Sequence, residues 1–227
     1  ANKRVSILGD DRNASFQFSD IVPGTYMLAA SNVYGRAAIS LDVRNADLLG
    51  TRIILGANAK IPARTRIEGH PPGNDPALET LLFNVRPEVP IPGLETEMYS
   101  PFADGRFRLD VLRGHYWLEL TRTQDYYVRS IILEGFDVLN QGLHVMGSVE
   151  GPLEIVVDTH FGEVQGSAAG PNLTVVLVPD AARRNQRPLY KSAKSGNGVF
   201  HFEKVPPGDY KLRSEERRVG KECRSRW

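Results

Sequence analysis

The sequence predicts an all-β chain of antiparallel β-sandwiches, and three observations carry that reading. Its apolar residues alternate in short runs, "AAISLDV", "TRIILGA", "ETLLFNV", "YWLELT", "VRSIILEG", "LEIVVD" and "LTVVLVPD", each bounded by Gly, Pro, Asn or Asp. No long window keeps the 3.6-residue apolar period of a helix. One signature also occurs three times, which marks an internal repeat.

The signature reads "FQFSDIVPGTYML" from Phe16, "FRLDVLRGHYWL" from Phe107 and "FHFEKVPPGDYKL" from Phe200. In a strand, residues two apart share a face, so Phe200 and Phe202 point one way and His201 the other. Pro206, Pro207 and Gly208 then supply turn chemistry, a proline with φ pre-set and a glycine free to take positive φ. Tyr210 and Leu212 alternate on the returning strand and are expected to cover the same core, which makes the signature a β-hairpin. Phe16, Phe18, Pro23, Gly24, Tyr26 and Leu28 repeat the arrangement. In the middle copy, Phe107, Gly114 and Tyr116 keep it, but Arg113 replaces the proline and the loop is one residue shorter. The three glycines lie 90 and 94 positions apart, and a second marker, Gly69 in "RTRIEG" and Gly166 in "GEVQG", recurs after 97.

The remaining segments fit between these landmarks. "DPALETLLFNV" comes nearest to a helix, but Pro87 and Pro90 limit it to a strand or one helical turn. The Pro-rich stretch from Pro87 to Pro101 reads as a long loop across one end of a unit. The units expected are residues 1–58, the end of one sandwich; 59–160, a complete one; and 161–212, the start of a third.

The "G-x-F-x-F-x-x-V-P-P-G-x-Y-x-L" pattern at Gly198 to Leu212, the strand "LTVVLVPD" before it and "DGRF" at Asp104 to Phe107 resemble the carboxypeptidase regulatory-like, or transthyretin-like, β-sandwich repeats of bacterial envelope proteins. The resemblance implies tandem Ig-like antiparallel sandwiches over residues 1–212. Starch-binding-like modules and Cna B-type domains of surface proteins are related sandwiches. It further implies an extracytoplasmic setting: periplasmic, outer-membrane associated or secreted. The partners implied are neighbouring domains of the same chain, polysaccharide or envelope proteins.

Composition narrows the function. Hydrophobic residues make up 41% and charged residues 24% of the 227, which excludes disorder. No apolar run approaches the ~20 residues of a membrane-spanning helix. The chain opens "ANKRVSILGD", without an initiator methionine or a charged-then-apolar leader. It closes on Arg213 to Trp227, "RSEERRVGKECRSRW", which resembles the conceptual translation of a sequencing adapter and is read as an artefact tail. That tail holds six of the 28 basic residues, three of the 27 acidic ones, and the only cysteine, Cys223. Without it the net charge moves from +1 to −2, leaving no disulfide, no thiol catalyst and no basic stripe for nucleic acid. The untidy ends read as an internal piece of a longer protein.

No catalytic, cofactor or metal residue is expected. "HFGE", His160 to Glu163, has the H-x-x-E spacing of a zinc pair, but strand residues three apart face opposite sides. It is read as a strand end. His70 is assigned to the loop beside "PPG", His115 to a turn, His144 to a strand and His201 to the signature, each in a structural or exposed role. No G-x-S-x-G elbow or phosphate-cradling glycine run is present. "AARRNQR", Ala181 to Arg187, reads as a solvated basic turn. Asn13 and Asn172 match glycosylation acceptors. The aromatic residues of "HYWLEL" and "QDYYVR" are the one feature suited to a ligand, because a flat ring stacks on a pyranose. Tyr116 and Leu118 share the inner face, which leaves Trp117 on the outer one, to pack between units or to stand exposed. Trp117, Tyr126 and Tyr127 are the candidate sugar platform.

Three functions follow as expectations. The first is a non-catalytic structural or interaction module. The second is a carbohydrate-binding module. The third, implied by the resemblance, is an accessory region of a larger peptidase or TonB-dependent transporter.

Overall fold

The computed structural model describes residues 6–9, 14–32, 35–88, 97–121, 125–147, 149, 151–167 and 173–215. Asn13, Asn172, the stretch 89–96 of the Pro-rich loop and tail residues 216–227 lie outside them. The first segment holds β1 (Ser6–Gly9), β2 (Ala14–Gln17), β3 (Gly24–Asn32) and β4 (Gly35–Val43). The middle segment opens with β5 (Ala59–Ile67), β6 (Leu82–Pro87), β7 (Glu97–Tyr99), β8 (Arg106–Val111) and β9 (Gly114–Thr121). It continues through β10 (Tyr127–Leu133), β11 (Phe136–Asp137), the single-turn helix α1 (Val138–Gln141), β12 (Leu143–Val145) and β13 (Leu153–Asp158). The last segment holds β14 (Gly162–Ser167), β15 (Thr174–Pro179), β16 (Lys191–Lys194), β17 (Val199–Val205) and β18 (Tyr210–Glu215). The chain is all-β.

Two sheets, in the orders β11-β10-β13-β5-β8 and β12-β9-β6-β7, share one core in the middle segment. Alternation sets which side chains enter it. Along β5, Ala59, Ile61, Ala63, Thr65 and Ile67 are buried while Lys60, Arg64 and Arg66 face water. Phe83 of one sheet stacks on Phe107 of the other, ring centroids 5.6 Å apart and planes 9° from parallel. One pairing departs from the antiparallel expectation. β13 runs parallel to β5, Leu153 beside Ala63 through Val157 beside Ile67. Parallel neighbours need a long crossover, and the whole middle segment between them supplies it.

In the last segment, the orders β16-β15-β18 and β14-β17 repeat β7-β6-β9 and β5-β8. Its smaller core gathers Val175, Leu177, Phe200, Phe202 and Val205, with Val164, Ala193 and Tyr210 at its margin. Leu212, expected inside, is exposed. β18 runs on to Glu215, with Arg213 opposite Val176, because ladder bonds come from the backbone whatever the side chains.

The repeated signature is not a hairpin. Its two arms lie in different sheets: β8 pairs with β5 while β9 pairs with β6, and β17 pairs with β14 while β18 pairs with β15. A hairpin would lay both arms in one layer with nothing opposite the rings. Dividing them between layers closes Phe and Tyr on one core from two sides. Each corner is pinned in the same way. Tyr116 donates its hydroxyl to the Leu112 carbonyl (3.0 Å), Tyr210 to Pro206 (3.0 Å) and Tyr26 to Val22 (2.6 Å), always four residues back. The ring lies over the corner glycine, so a Cβ there would touch it at 3.5–3.7 Å. Gly114 and Gly208 take φ of 156° and 151°, whereas Gly24 is not in the positive-φ region.

The extra residue of the last copy is a β-bulge. Gly162 faces Val205 and Val164 faces Phe202, so one residue of β14 opposes both Glu203 and Lys204. Lys204 takes φ of 51° and Asp20, its counterpart, 57°. The bulge shifts parity by one, which turns Val205 inward after Phe200 and Phe202. The continuous β8 buries Phe107, Leu109 and Val111 instead.

Other expectations are corrected. The Gly69 and Gly166 markers are not equivalent. Gly69 follows β5 in a turn, while Gly166 lies inside β14 opposite Phe200, as Ala63 lies opposite Phe107. Both positions must be small, and a Cβ on Gly166 would reach Phe200 at 2.6 Å. "TRIILGA" forms no strand. Only Gly56 bridges back, to Arg36, and Ile54 is exposed. Its counterpart β13 has β5 and β10 on either side, and no described strand flanks residues 51–55 in that way. Among the described residues the first corner has no buried core: Phe18 and Tyr26 are 38% and 40% exposed, and neither core cluster includes residues before Ala59. The Pro-rich loop contains a strand, β7, whose Tyr99 hydroxyl meets the Asp110 amide (3.0 Å) and carbonyl (3.1 Å) of β8.

The buried corner bond predicts a graded mutational effect. Tyr116→Phe should lower stability by ~1 kcal/mol, because the Leu112 carbonyl loses its partner. Tyr26→Phe, at a corner open to water, should change it by no more than a few tenths. Denaturant unfolding of the two variants distinguishes them.

Candidate functional site

Strand β9 brings the expected aromatic residues to a site, but not to an open surface. Tyr116, Leu118 and Leu120 face the core, and Trp117 and Glu119 the opposite side. That opposite side is covered. Trp117 is 7% exposed and stands edge-on to His115, with centroids 5.4 Å apart. A 3-10 turn from the last segment, Arg187–Leu189, lies against β9. Its Leu189 is buried, and the preceding Gln186 donates to Asn140 Oδ1 (2.7 Å) and the Leu139 carbonyl (3.4 Å). Glu119 is neutralised by Arg86 at 3.0 Å. "AARRNQR" is therefore partly a packing element rather than a solvated turn.

Between β9 and this turn opens a cleft of ≈ 480 Å³. Trp117, Tyr126 and Tyr127 all line it, joined by Phe161, Tyr190 and Lys191. Tyr127 meets Phe161 in an edge-to-face contact at 5.1 Å. At the rim, Lys204 reaches back across 79 residues to Asp125 at 2.7 Å. Sequence reasoning missed Gln186, Leu189, Lys191 and Lys204. One signal was present: "YWLEL" is apolar or bulky on both faces, as in a strand covered on both sides.

The passage from β13 to β14 is fixed by Asp158, whose side chain is 5% exposed. Its Oδ1 accepts from the Thr159 amide (2.7 Å), the His160 amide (3.0 Å) and His160 Nδ1 (2.6 Å). Arg129 approaches Oδ2 at 3.4 Å. Burial alone would raise the Asp158 pKa. The hydrogen bonds from His160, Thr159 and Tyr127 outweigh burial and hold it at about 2. Tyr127 is pushed upward, first by burial and then by the Asp158 charge.

The zinc-like spacing does not converge. His160 turns to Asp158, while Glu163 pairs with His201 at 3.2 Å. His70 bonds Asp75 at 2.6 Å, and His115, on β9 rather than in a turn, meets the Gln141 carbonyl at 2.9 Å. Among the described residues, no group of three or more His, Cys, Asp or Glu could hold a metal. No helix among them is long and apolar enough to cross a membrane.

No family model and no curated protein matches the chain. Among solved structures, it is similar to the Bacillus anthracis TIE protein at 12% identity and a TM-score of 0.29, over 92% of this chain and 39% of that one. The likeness carries no argument at that score, and the chain spans about two fifths of that protein's length.

Asp158 gives the linker a pH dependence. Its folded pKa is depressed from 3.8 to about 2, so its stabilisation is complete above pH ~4 and is lost as pH falls towards 2, by roughly 2 kcal/mol. Asp158→Asn should flatten that part of the stability–pH curve, measured by urea unfolding between pH 2 and 5. An unchanged slope would remove Asp158 from this role.

Proposed function

We propose that the chain is a non-catalytic structural module: tandem copies of one Ig-like sandwich, joined stiffly and acting as a spacer or docking surface in an extracytoplasmic protein. The observation that carries this reading is the covered outer face of β9. Trp117, Leu189 and Gln186 are buried where the middle and last segments meet, so the two are held by packing rather than strung on a free linker. The strand orders shared by the two segments and the tyrosine-pinned corner present in all three support the tandem arrangement. The bacterial envelope setting rests on the sequence resemblance alone, and is an analogy of fold.

A carbohydrate-binding module is the second reading. It is favoured by the convergence of Trp117, Tyr126 and Tyr127 on one cleft. The cover over Trp117 leaves the two tyrosines and Phe161 as the accessible stacking surfaces, which suits a site at a junction better than a flat platform.

Stiffness is testable at the junction. Leu189→Asp, which places a charge in the buried junction, should lengthen the maximum dimension in small-angle X-ray scattering and shift the tryptophan emission to the red. An unchanged scattering profile would refute the rigid-module reading. Saturable tryptophan quenching by a polysaccharide would favour the second reading, since a spacer should give no such response.

A further inference from the structure

The cleft is not evenly charged. Lys191 opens β16, and its Nζ donates to the Glu203 carbonyl at 2.9 Å. Lys204 projects from the bulge of β17 at φ of 51°. Asp20 shares the positive φ in the first copy, but in the last copy the residue is a lysine at the cleft rim. Lys191 and Lys204 both line the cleft, and burial and the neighbouring Lys204 charge lower the Lys191 pKa. Of the carboxylates nearby, Glu119 is paired with Arg86 and Asp125 with Lys204, while Glu203 keeps an exposed carboxylate 3.8 Å from His201. An ammonium has three donors. Among the described residues, each lysine spends one of them on the partner named. The facing wall is aromatic, with Tyr126, Tyr127 and Phe161. Gln186, buried beside it, already bonds the middle segment.

We infer that this cleft takes an acidic saccharide, one sugar ring lying on the tyrosines and its carboxylate meeting Lys191 and Lys204. The inference rests on the carbohydrate-binding reading and narrows it. A neutral sugar would use the aromatic wall and leave the remaining N–H donors of Lys191 and Lys204 to water. A carboxylate relieves their repulsion and gains charge-assisted hydrogen bonds, which are about twice as strong as neutral ones. A nucleic acid would also offer anions and flat rings, but two lysines make too small a cationic patch for a polyanion that neutralises many phosphates.

Calorimetric titration of the full chain with oligogalacturonate and with a neutral cello-oligosaccharide of equal length tests this. The acidic ligand should bind about tenfold more tightly, with affinity falling as salt rises. In the Lys191→Gln/Lys204→Gln double variant the acidic-to-neutral ratio should drop towards one, and Lys191→Arg/Lys204→Arg should restore it. Circular dichroism verifies that each variant is folded. Equal affinity for both sugars, a ratio unmoved by the glutamines, or single-stranded DNA binding as tightly as the uronate would overturn the inference while leaving a ligand cleft in place. No saturable response to any saccharide would overturn the carbohydrate reading, and this inference with it.

Discussion

A tyrosine hydroxyl reaching four residues back to a backbone carbonyl holds the chain where it leaves one sheet for the other. That constraint does three things at once. It satisfies a carbonyl that no ladder can reach, because the two arms have separated. It lays the ring across the glycine, so that the corner is filled rather than hollow. It also aims the tyrosine into the core from the side opposite the phenylalanines. The middle core, closed by the Phe83–Phe107 stack, and the smaller core around Phe200 and Phe202 both form around such corners. The first corner keeps the hydrogen bond although its tyrosine is 40% exposed, so the pin does not depend on burial of the ring.

The second organising feature lies between segments. Sheets bury one face in their own core and usually leave the other to water. On β9 the outer face carries a tryptophan and an ion-paired glutamate, and a turn of the last segment closes over them. Asp158 fixes the linker at the same junction by accepting two amides and an imidazole at a buried carboxylate. Packing and linker thus fix the same boundary independently. The cleft lies beside this packed boundary, and its lining is mixed: aromatic from Trp117, Tyr126, Tyr127, Phe161 and Tyr190, cationic from Lys191 and Lys204.

Much of this was legible in the residues. Period-two alternation identified the strands and placed Phe200, Phe202, Tyr116 and Leu118 inside. The missing residue in the middle signature was read as a shorter loop, whereas the extra residue of the last copy is a bulge within β17. The aromatic residues singled out for a ligand do share one cleft. What misled was the assumption that strands joined by a short turn pair with each other. A Pro-Gly turn fits a hairpin and a corner equally well, because each needs the same backbone angles over two or three residues. "TRIILGA" misled for a related reason: β-pattern is only capacity for a strand, and residues 51–55 have no flanking partners.

The sequence by itself determined the all-β class, the inward faces and the recurrence of the corner, because these depend on side-chain period and on contacts a few residues apart. Tertiary structure alone decided which strands became neighbours, the parallel meeting of β5 and β13, the burial of Trp117 and the placing of Lys191 and Lys204 on one wall. Those facts join residues up to 90 positions apart, as Leu153 lies beside Ala63. Such pairings are chosen by which surfaces can exclude water together, and no local pattern encodes that choice.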